Sequence, residues 1–324
     1  MVHRDYAPPR AVLEARKRMN DAVRGWFDAR DFLEVETPIA VLSPGLEPHL
    51  EAFETLERGP DGQQTSLFLH TSPEYAMKRL VGRGLGSLYQ IARVFRNGER
   101  SATHAPEFTL LEWYRHPGTL DAVAEDTVAL IETVARAVGG PWQPGPPLRL
   151  SVSEAFRAVG LGDPLEHLDD IDGLRRALKV PAVAGDDWET VFFRAFFERI
   201  EPSFDPAGVT VLDGYPAPMA ALARLDPTDR RRALRFEVFV GGVELGNAFA
   251  ELADPVEQRR RFADDLRVRE ELGRQTPPVD EGLLRDLPGI DPSAGIALGL
   301  DRLLMTCLRL EAVQDVLCFS PRDS

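Results

Sequence analysis

Residues 235–252 read RFEVFVGGVELGNAFAEL, and the way this stretch folds decides the rest. Apolar residues alternate from Phe236 to Val240, and Gly241-Gly242 is a two-residue turn signal, so the segment predicts a β-hairpin followed by a polar loop. Glu237, Glu244 and Glu251 recur at intervals of seven residues, with Asn247 between the last two. Across such a turn, Glu237 and Glu244 fall opposite one another on one face. Directly opposed carboxylates repel, and a fold keeps such a pair when a cation sits between them. Mg²⁺ is the expected cation, because it takes hard oxygen ligands and shares them with substrate phosphates. A solvated hairpin with scattered acids is the competing reading of this stretch taken alone.

Upstream, residues 89–115 read YQIARVFRNGERSATHAPEFTLLEWYR, a strand, a polar loop and a second strand. Arg93 and Arg96 precede the loop, Arg100 and His104 lie in it, and Phe108, Glu112 and Tyr114 follow. Guanidinium groups pair with phosphate oxygens in a fork, so this shape suits a triphosphate. Arg96 is the strongest candidate; Arg93 and Arg100, taken singly, read as exposed hairpin arginines. Downstream, residues 293–310 read SAGIALGLDRLLMTCLRL. Small residues at Gly295, Ala297 and Gly299 let a partner approach a strand closely. A helix is expected to start near Asp301. Arg302 in its first turn runs against the macrodipole preference, which points to an anionic ligand.

FRNGE (95–99) followed by HAPEFTLLEWY (104–114) resembles motif 2 of the class II aminoacyl-tRNA synthetases. GIALGLDRLL (295–304) resembles their motif 3, and FLEVETP (32–38) resembles motif 1, which forms the dimer interface in that family. The nearer resemblance is to lysyl-tRNA synthetases, through TSPEYAMKRL (71–80), YPAPMAALARL (215–225) and VELGNAFAEL (243–252). Nearest are their short paralogues that attach lysine or β-lysine to a lysine of translation elongation factor P. The resemblance implies an α+β fold: a class II catalytic domain with a mainly antiparallel sheet flanked by helices.

It also implies roles. Lysine or β-lysine would be held by Ser72, Glu74, Glu112, Tyr114 and Glu251, with Asn247 and Ala297 beside them. Two ammonium ends need acidic or hydroxyl partners, because a buried unpaired ammonium is very costly. No Lys or Arg stands at these positions, which argues against an acidic substrate. Arg96 would hold the α-phosphate of ATP, Phe108 and Arg302 would flank the adenine, and His104 would sit near the phosphate tail. Arg96 and Arg302 are the expected catalytic pair. Asn97, Gly98, Glu99 and Ala105 would complete the nucleotide loop, with Glu244, Leu245 and Gly299 across from it. Glu237 and Glu244 would hold Mg²⁺. Gly98 replaces the Glu of lysyl-tRNA synthetases, with Glu99 next door; Ala102-Thr103 and Ala105 also depart from the relatives' pattern. These departures keep open a non-catalytic synthetase-like regulator or binding protein, or a ligase with another acceptor.

The chain of 324 residues can form one large domain. Residues 1–324 are expected to be a single catalytic domain, with a helical insertion at about 148–204. Motif 1 begins near Phe32, leaving no room for an anticodon-binding barrel. The opening MVHRDYAPPR is polar and Pro-rich and reads as no secretory signal. No stretch has the apolar length of a membrane span. The formal net charge of −14 makes a tRNA partner unexpected and favours a protein or small-molecule acceptor. Cys307 and Cys318 read as buried thiols of a reducing, cytoplasmic compartment. A homodimer is expected from motif 1. VFFRAFFERI (191–200) reads as a buried aromatic face, and Ser151 to Glu154 matches a capping box.

Overall fold

The computed structural model describes residues 9–319; most of the polar opening lies outside the described residues. In chain order, α1 (Arg10–Asp28) leads to β1 (Leu33–Glu34) and β2 (Ala40–Val41). A hairpin of β3 (Phe53–Arg58) and β4 (Gln64–Leu69) precedes α2 (Glu74–Gly82). Then come β5 (Leu88–Phe95), β6 (Glu107–Arg115) and α3 (Leu120–Val138). Next are β7 (Leu148–Ser151), α4 (Val152–Ala158), α5 (Ile171–Leu178) and α6 (Trp188–Ala195). The last stretch holds β8 (Val209–Asp213), β9 (Arg235–Val240), β10 (Val243–Ala250), α7 (Pro255–Glu271), α8 (Glu281–Asp286), β11 (Ala294–Gly299) and α9 (Leu300–Cys307).

Eight strands form one sheet in the order β1-β5-β6-β11-β10-β9-β8-β7, and β2-β4-β3 form a small second sheet. Within the large sheet only the edge pairs β1/β5 and β7/β8 are parallel; the central pairs are antiparallel. This is the mainly antiparallel α+β architecture expected.

One face of the sheet carries the main core. Met19, Val23 and Phe27 recur every four residues along α1, so they form one buried stripe. They meet Leu111 and Trp113 of β6, Phe236 and Val238 of β9, and Ile296 and Leu298 of β11. Phe27 stacks on Tyr89 with ring centroids 4.3 Å apart. Each such fully buried side chain contributes roughly 1.5–3 kcal/mol relative to leaving it exposed. α3 completes this layer, capped by the Thr119 hydroxyl, which accepts from the Ala122 N–H, and by left-handed Gly139.

Strand alternation sends the remaining side chains to the opposite face, and the register lines them up. Glu237, Asn247, Ala297, Glu112 and Gln90 are successive cross-strand partners over β9, β10, β11, β6 and β5. One row along, Arg235, Phe249, Gly295, Tyr114 and Leu88 do the same. The carboxylate hairpin forms as expected, with Gly241 and Gly242 at φ 60° and 78°. Its register differs from expectation. A bulge between Glu244 and Gly246 pairs Glu244 with Phe239 and Glu237 with Asn247. The extra residue, Leu245, turns into the core, which is why counting from the turn misplaces the partners.

The Ser151–Glu154 capping box is present and opens α4. Leu148–Ser151 itself is a strand on the sheet edge, so the helical insertion starts at Val152 rather than 148. The insertion has its own core around Phe156, Phe192 and Phe196 and docks on Phe239 through Phe196 and Phe204. Phe197 departs from the expected buried face and is 58% exposed, because the helix that holds Phe196 inward turns its neighbour outward. Cys307 is buried in α9, but Cys318 is exposed in the C-terminal tail, beyond the last packed turn.

Candidate active site

At one end of the cleft face the expected substrate residues converge. Glu112 is 1% exposed and accepts from the Ser72 hydroxyl and the Tyr114 hydroxyl, each at 2.6 Å. Gly295 faces Tyr114 across the strands, and a Cβ there would lie 2.4 Å from the Tyr114 ring. The partner that approaches Gly295 is therefore the protein's own Tyr114, not a ligand. Burial first, and Glu74 second, push the Glu112 carboxyl up to about 8.

Glu74 and Glu251 complete the pocket, but each is engaged by a residue the sequence reading missed. The Lys78 ammonium sits 2.5 Å from Glu74 Oε1 and 2.7 Å from Glu251 Oε2 and is 3% exposed. The expectation that no Lys or Arg enters this wall is corrected: one helical turn carries Lys78 from the Glu74 level into it. The signal was available, since Glu74 and Lys78 are four apart on a helix. The wall stays acidic, with Glu74, Glu112 and Glu251 set against one ammonium. Glu251 is pushed up to about 7 by burial, with Lys78 pulling the other way. Glu47 was also missed. Burial and then Glu74 raise its carboxyl, and the charges of Arg96 and Lys78 also reach it.

Arg302 stands at the other end, in the first turn of α9. It donates to Thr103 O at 3.0 Å, to Glu244 O at 2.8 Å and to His104 Nε2 at 2.7 Å. An arginine can only donate, so His104 Nε2 accepts and its Nδ1–H faces Ser101 Oγ at 2.7 Å. Burial and then the Arg302 charge lower the His104 pKa, which favours this neutral form. Arg302 thus links three elements, which resolves its apparent misplacement in the helix. Asp301 beside it is buried, accepts from the Thr109 N–H at 2.7 Å and pairs with Arg16 at 2.6 Å, fixing the start of α9 on β6 and α1.

The Arg96 guanidinium lies 5.1 Å from the Phe108 ring centroid, and its Nε is buried without a partner. Phe108 joins Ala92, Val94, Leu110 and Ala297 in a small apolar patch on the cleft face. Gly98 turns the loop at φ 80°, a conformation that disfavours the Glu of the relatives, and Glu99 reaches Arg96 at 4.0 Å. The Asn97 N–H donates to Glu51 O at 2.7 Å. Ala105 and Leu245 do not present side chains to the cleft; both are packed in the main core, so only their backbone could meet a nucleotide. A Cβ at Gly299 would meet Leu245 O at an ordinary 3.6 Å, so the protein alone does not demand glycine there.

Glu237 and Glu244 share the cleft face without opposing one another. Glu237 accepts from Tyr215 OH at 2.5 Å and from Arg235 Nη2 at 2.6 Å, and Arg235 Nε also donates to Asn247 Oδ1 at 3.0 Å. Glu244 opens to the cleft, with 47% of its side chain exposed. The surrounding protein, and then the Glu237 charge, push its carboxyl up to about 7. This like-charge stress is what a hard cation relieves. Among the described residues no group of three His, Cys, Asp or Glu side chains is placed to hold a metal. Two carboxylates alone suit Mg²⁺, which keeps waters and shares phosphate oxygens, better than an all-protein cage.

The family model for class II tRNA synthetases (D, K and N) matches residues 6–323 of this chain. The chain belongs to that family. The class II relatives include the elongation factor P--(R)-β-lysine ligase of Vibrio cholerae, 36% identical over 98% of this chain and 98% of the relative. The same-named ligase of Haemophilus influenzae is 37% identical over 94% of this chain and 93% of its own. That of Erwinia tasmaniensis is 38% identical over 96% and 95%. Class II membership carries ATP use with it. Among the described residues no helix is long and apolar enough to cross a membrane.

Proposed function

We propose that this chain is an ATP-dependent ligase that activates lysine or β-lysine as an aminoacyl-adenylate and transfers it to a lysine of translation elongation factor P. The observation that carries the reading is the line of cleft-face residues that runs along β6 and β11. A buried acidic pocket, fit for an ammonium-bearing amino acid, stands at one end. The guanidinium pair Arg96 and Arg302 stands at the other. Relatives of nearly equal length carry the ligase name. Retention of Arg96, Arg302, Glu237, Glu244 and Asn247 favours an enzyme over a non-catalytic regulator.

Glu112 and Tyr114 receive the distant amine, Glu74 and Glu251 the amine near the carboxylate. That leaves the carboxylate directed along the row toward Ala297 and Asn247. Arg96 holds the α-phosphate, Phe108 and Arg302 flank the adenine, and His104 faces the phosphate tail. The carboxylate attacks the α-phosphorus, pyrophosphate leaves and the adenylate forms. An uncharged acceptor ε-amine then attacks the acyl carbon and AMP leaves. Catalysis is positioning plus neutralisation of phosphate charge. Mg²⁺, held by Glu237 and Glu244, supplies charge neutralisation on the phosphates. The whole chain acts as one catalytic domain in the cytoplasm, without tRNA. The test is the intact mass of elongation factor P after incubation with this protein, ATP and each amino acid. A gain of one lysyl unit is expected; an unchanged acceptor with every amino acid would reject the reading.

Three further results are expected. Glu112 must give up its proton to take an ammonium, so kcat/KM for the amino acid should climb with pH until about 8 and then level. Glu251 titrates nearby at about 7, so Glu112→Gln separates the two by removing the upper part of the slope. A profile that is identical in both proteins would exclude Glu112 as the ammonium receiver. Ala297 lies between Asn247 and Glu112 in register. Wild type is expected to prefer β-lysine, and Ala297→Gly should move the preference toward α-lysine by about 1–3 kcal/mol in the ratio of efficiencies. An unchanged ratio removes Ala297 from the specificity residues. Leu33, Ile39 and Leu42 around motif 1 are 50%, 44% and 57% exposed, an apolar edge that suits a second copy. Sedimentation at micromolar concentration should give a dimer; a single 36.0 kDa species would refute it.

A further inference from the structure

We propose that Lys78 is a positioning residue for the amino-acid substrate, an internal ammonium that fixes Glu74 and Glu251 as one receptor for the amine nearest the substrate carboxylate. The inference rests on the ligase reading above. Lys78 lies one turn after Glu74 on α2, while Glu251 directly follows β10. Its ammonium is therefore the bridge between a helix and a strand end. It donates to Glu74 Oε1 and stands in ion-pair contact with Glu251 Oε2, which makes no hydrogen bond of its own. Among the described residues no side-chain or backbone donor reaches Glu74 Oε2 or Glu251 Oε1. Each carboxylate therefore keeps one oxygen for an incoming cation.

A plain structural tie would not need this arrangement. A buried ion pair of this kind is commonly matched or exceeded in stability by apolar residues of similar volume. Here the tie sits in the wall of the pocket, and two buried acids share one ammonium, leaving the cluster one negative charge in excess. That excess matches one substrate ammonium. Glu112, by contrast, is satisfied by the neutral hydroxyls of Ser72 and Tyr114, so the two ends of the pocket are built differently. Burial alone would lower the Lys78 pKa, but Glu251 and Glu74 outweigh it and raise it, so the ammonium stays charged. Lys78 also sets a depth limit, because an amine pushed beyond the carboxylate pair meets a like charge. Glu47 adds negative charge from the preceding loop, and Arg224 adds positive charge beside Glu251, so Lys78 is not the sole counter-ion but the one in contact.

The test uses the full chain in amino-acid-dependent ATP–pyrophosphate exchange, with ATP affinity measured separately by calorimetry. Lys78→Met keeps the stem and removes the charge. Its KM for the amino acid should rise about tenfold to a hundredfold while the Kd for ATP stays within about twofold. Lys78→Arg should recover part of the loss, because a cation returns to the same carboxylates. Lys78→Met with Glu251→Gln returns the cluster to one negative charge and so protects the fold; its KM should remain raised. A wild-type KM in Lys78→Met, or full recovery of KM in the double variant, overturns the inference. So does a loss of ATP affinity equal to the loss for the amino acid, the mark of a merely structural role. Absence of exchange by the wild type with either amino acid would instead reject the ligase reading, and this inference with it.

Discussion

Glu244→Gln is expected to lower adenylate formation by at least about 10²-fold, the scale of removing a group that neutralises transition-state charge. The cause is local. Glu237 is already committed to Tyr215 and Arg235, so Glu244 is the more available carboxylate of the pair. A neutral amide keeps the shape of the side chain and loses the charge proposed to hold Mg²⁺. The fold should not suffer. The Glu244 carboxyl is raised from 4.5 to about 7 in the folded chain. A raised carboxyl favours the folded state most when protonated, below about 4.5, and that contribution is lost as pH rises through about 7. Glutamine removes this loss. The variant should therefore match or exceed wild type in thermal midpoint at pH values above that window, and the difference should shrink in acid. Pyrophosphate exchange near the wild-type rate at ordinary Mg²⁺ would show that Glu244 does not hold the metal.

Arg302→Ala should reduce exchange by about 10²–10³-fold and weaken ATP binding. Its guanidinium reaches Thr103 O, His104 Nε2 and Glu244 O at once, so it ties the loop before β6 to β10. Stability should fall by about 1–3 kcal/mol, since acceptors at Thr103 and Glu244 lose their donor. Arg302→Lys is the sharper variant. It retains the charge but not a planar fork able to serve separated acceptors. It should stay close to Arg302→Ala in activity; near wild-type exchange by Arg302→Lys would mean that only the charge at this position matters.

Much of this was legible in the chain. Alternation and the Gly241-Gly242 turn predicted the carboxylate hairpin, and three ordered motifs indicated the class II family and its mainly antiparallel sheet. The grouping of Ser72, Glu74, Glu112, Tyr114 and Glu251 was also expected. Other features were hidden for identifiable reasons. A bulge is a single added residue that leaves the apolar alternation plausible either way. Leu245 therefore moved Glu244 off Glu237 without a sequence signal. Ala105 looked like a loop residue but packs in the core. The sequence reading passes over Lys78, although its spacing from Glu74 allows a pair.

By itself the sequence determined which residue types are present, the period of each strand, the turn and the caps. Those are local quantities, set by backbone stereochemistry and by the partition of apolar side chains from water. Register across strands is not local. It was the tertiary structure that aligned Glu237, Asn247, Ala297 and Glu112 into one row from segments far apart in the chain. It also decided that Lys78 points inward, because two buried carboxylates on different elements need a shared cation more than one exposed ammonium needs water.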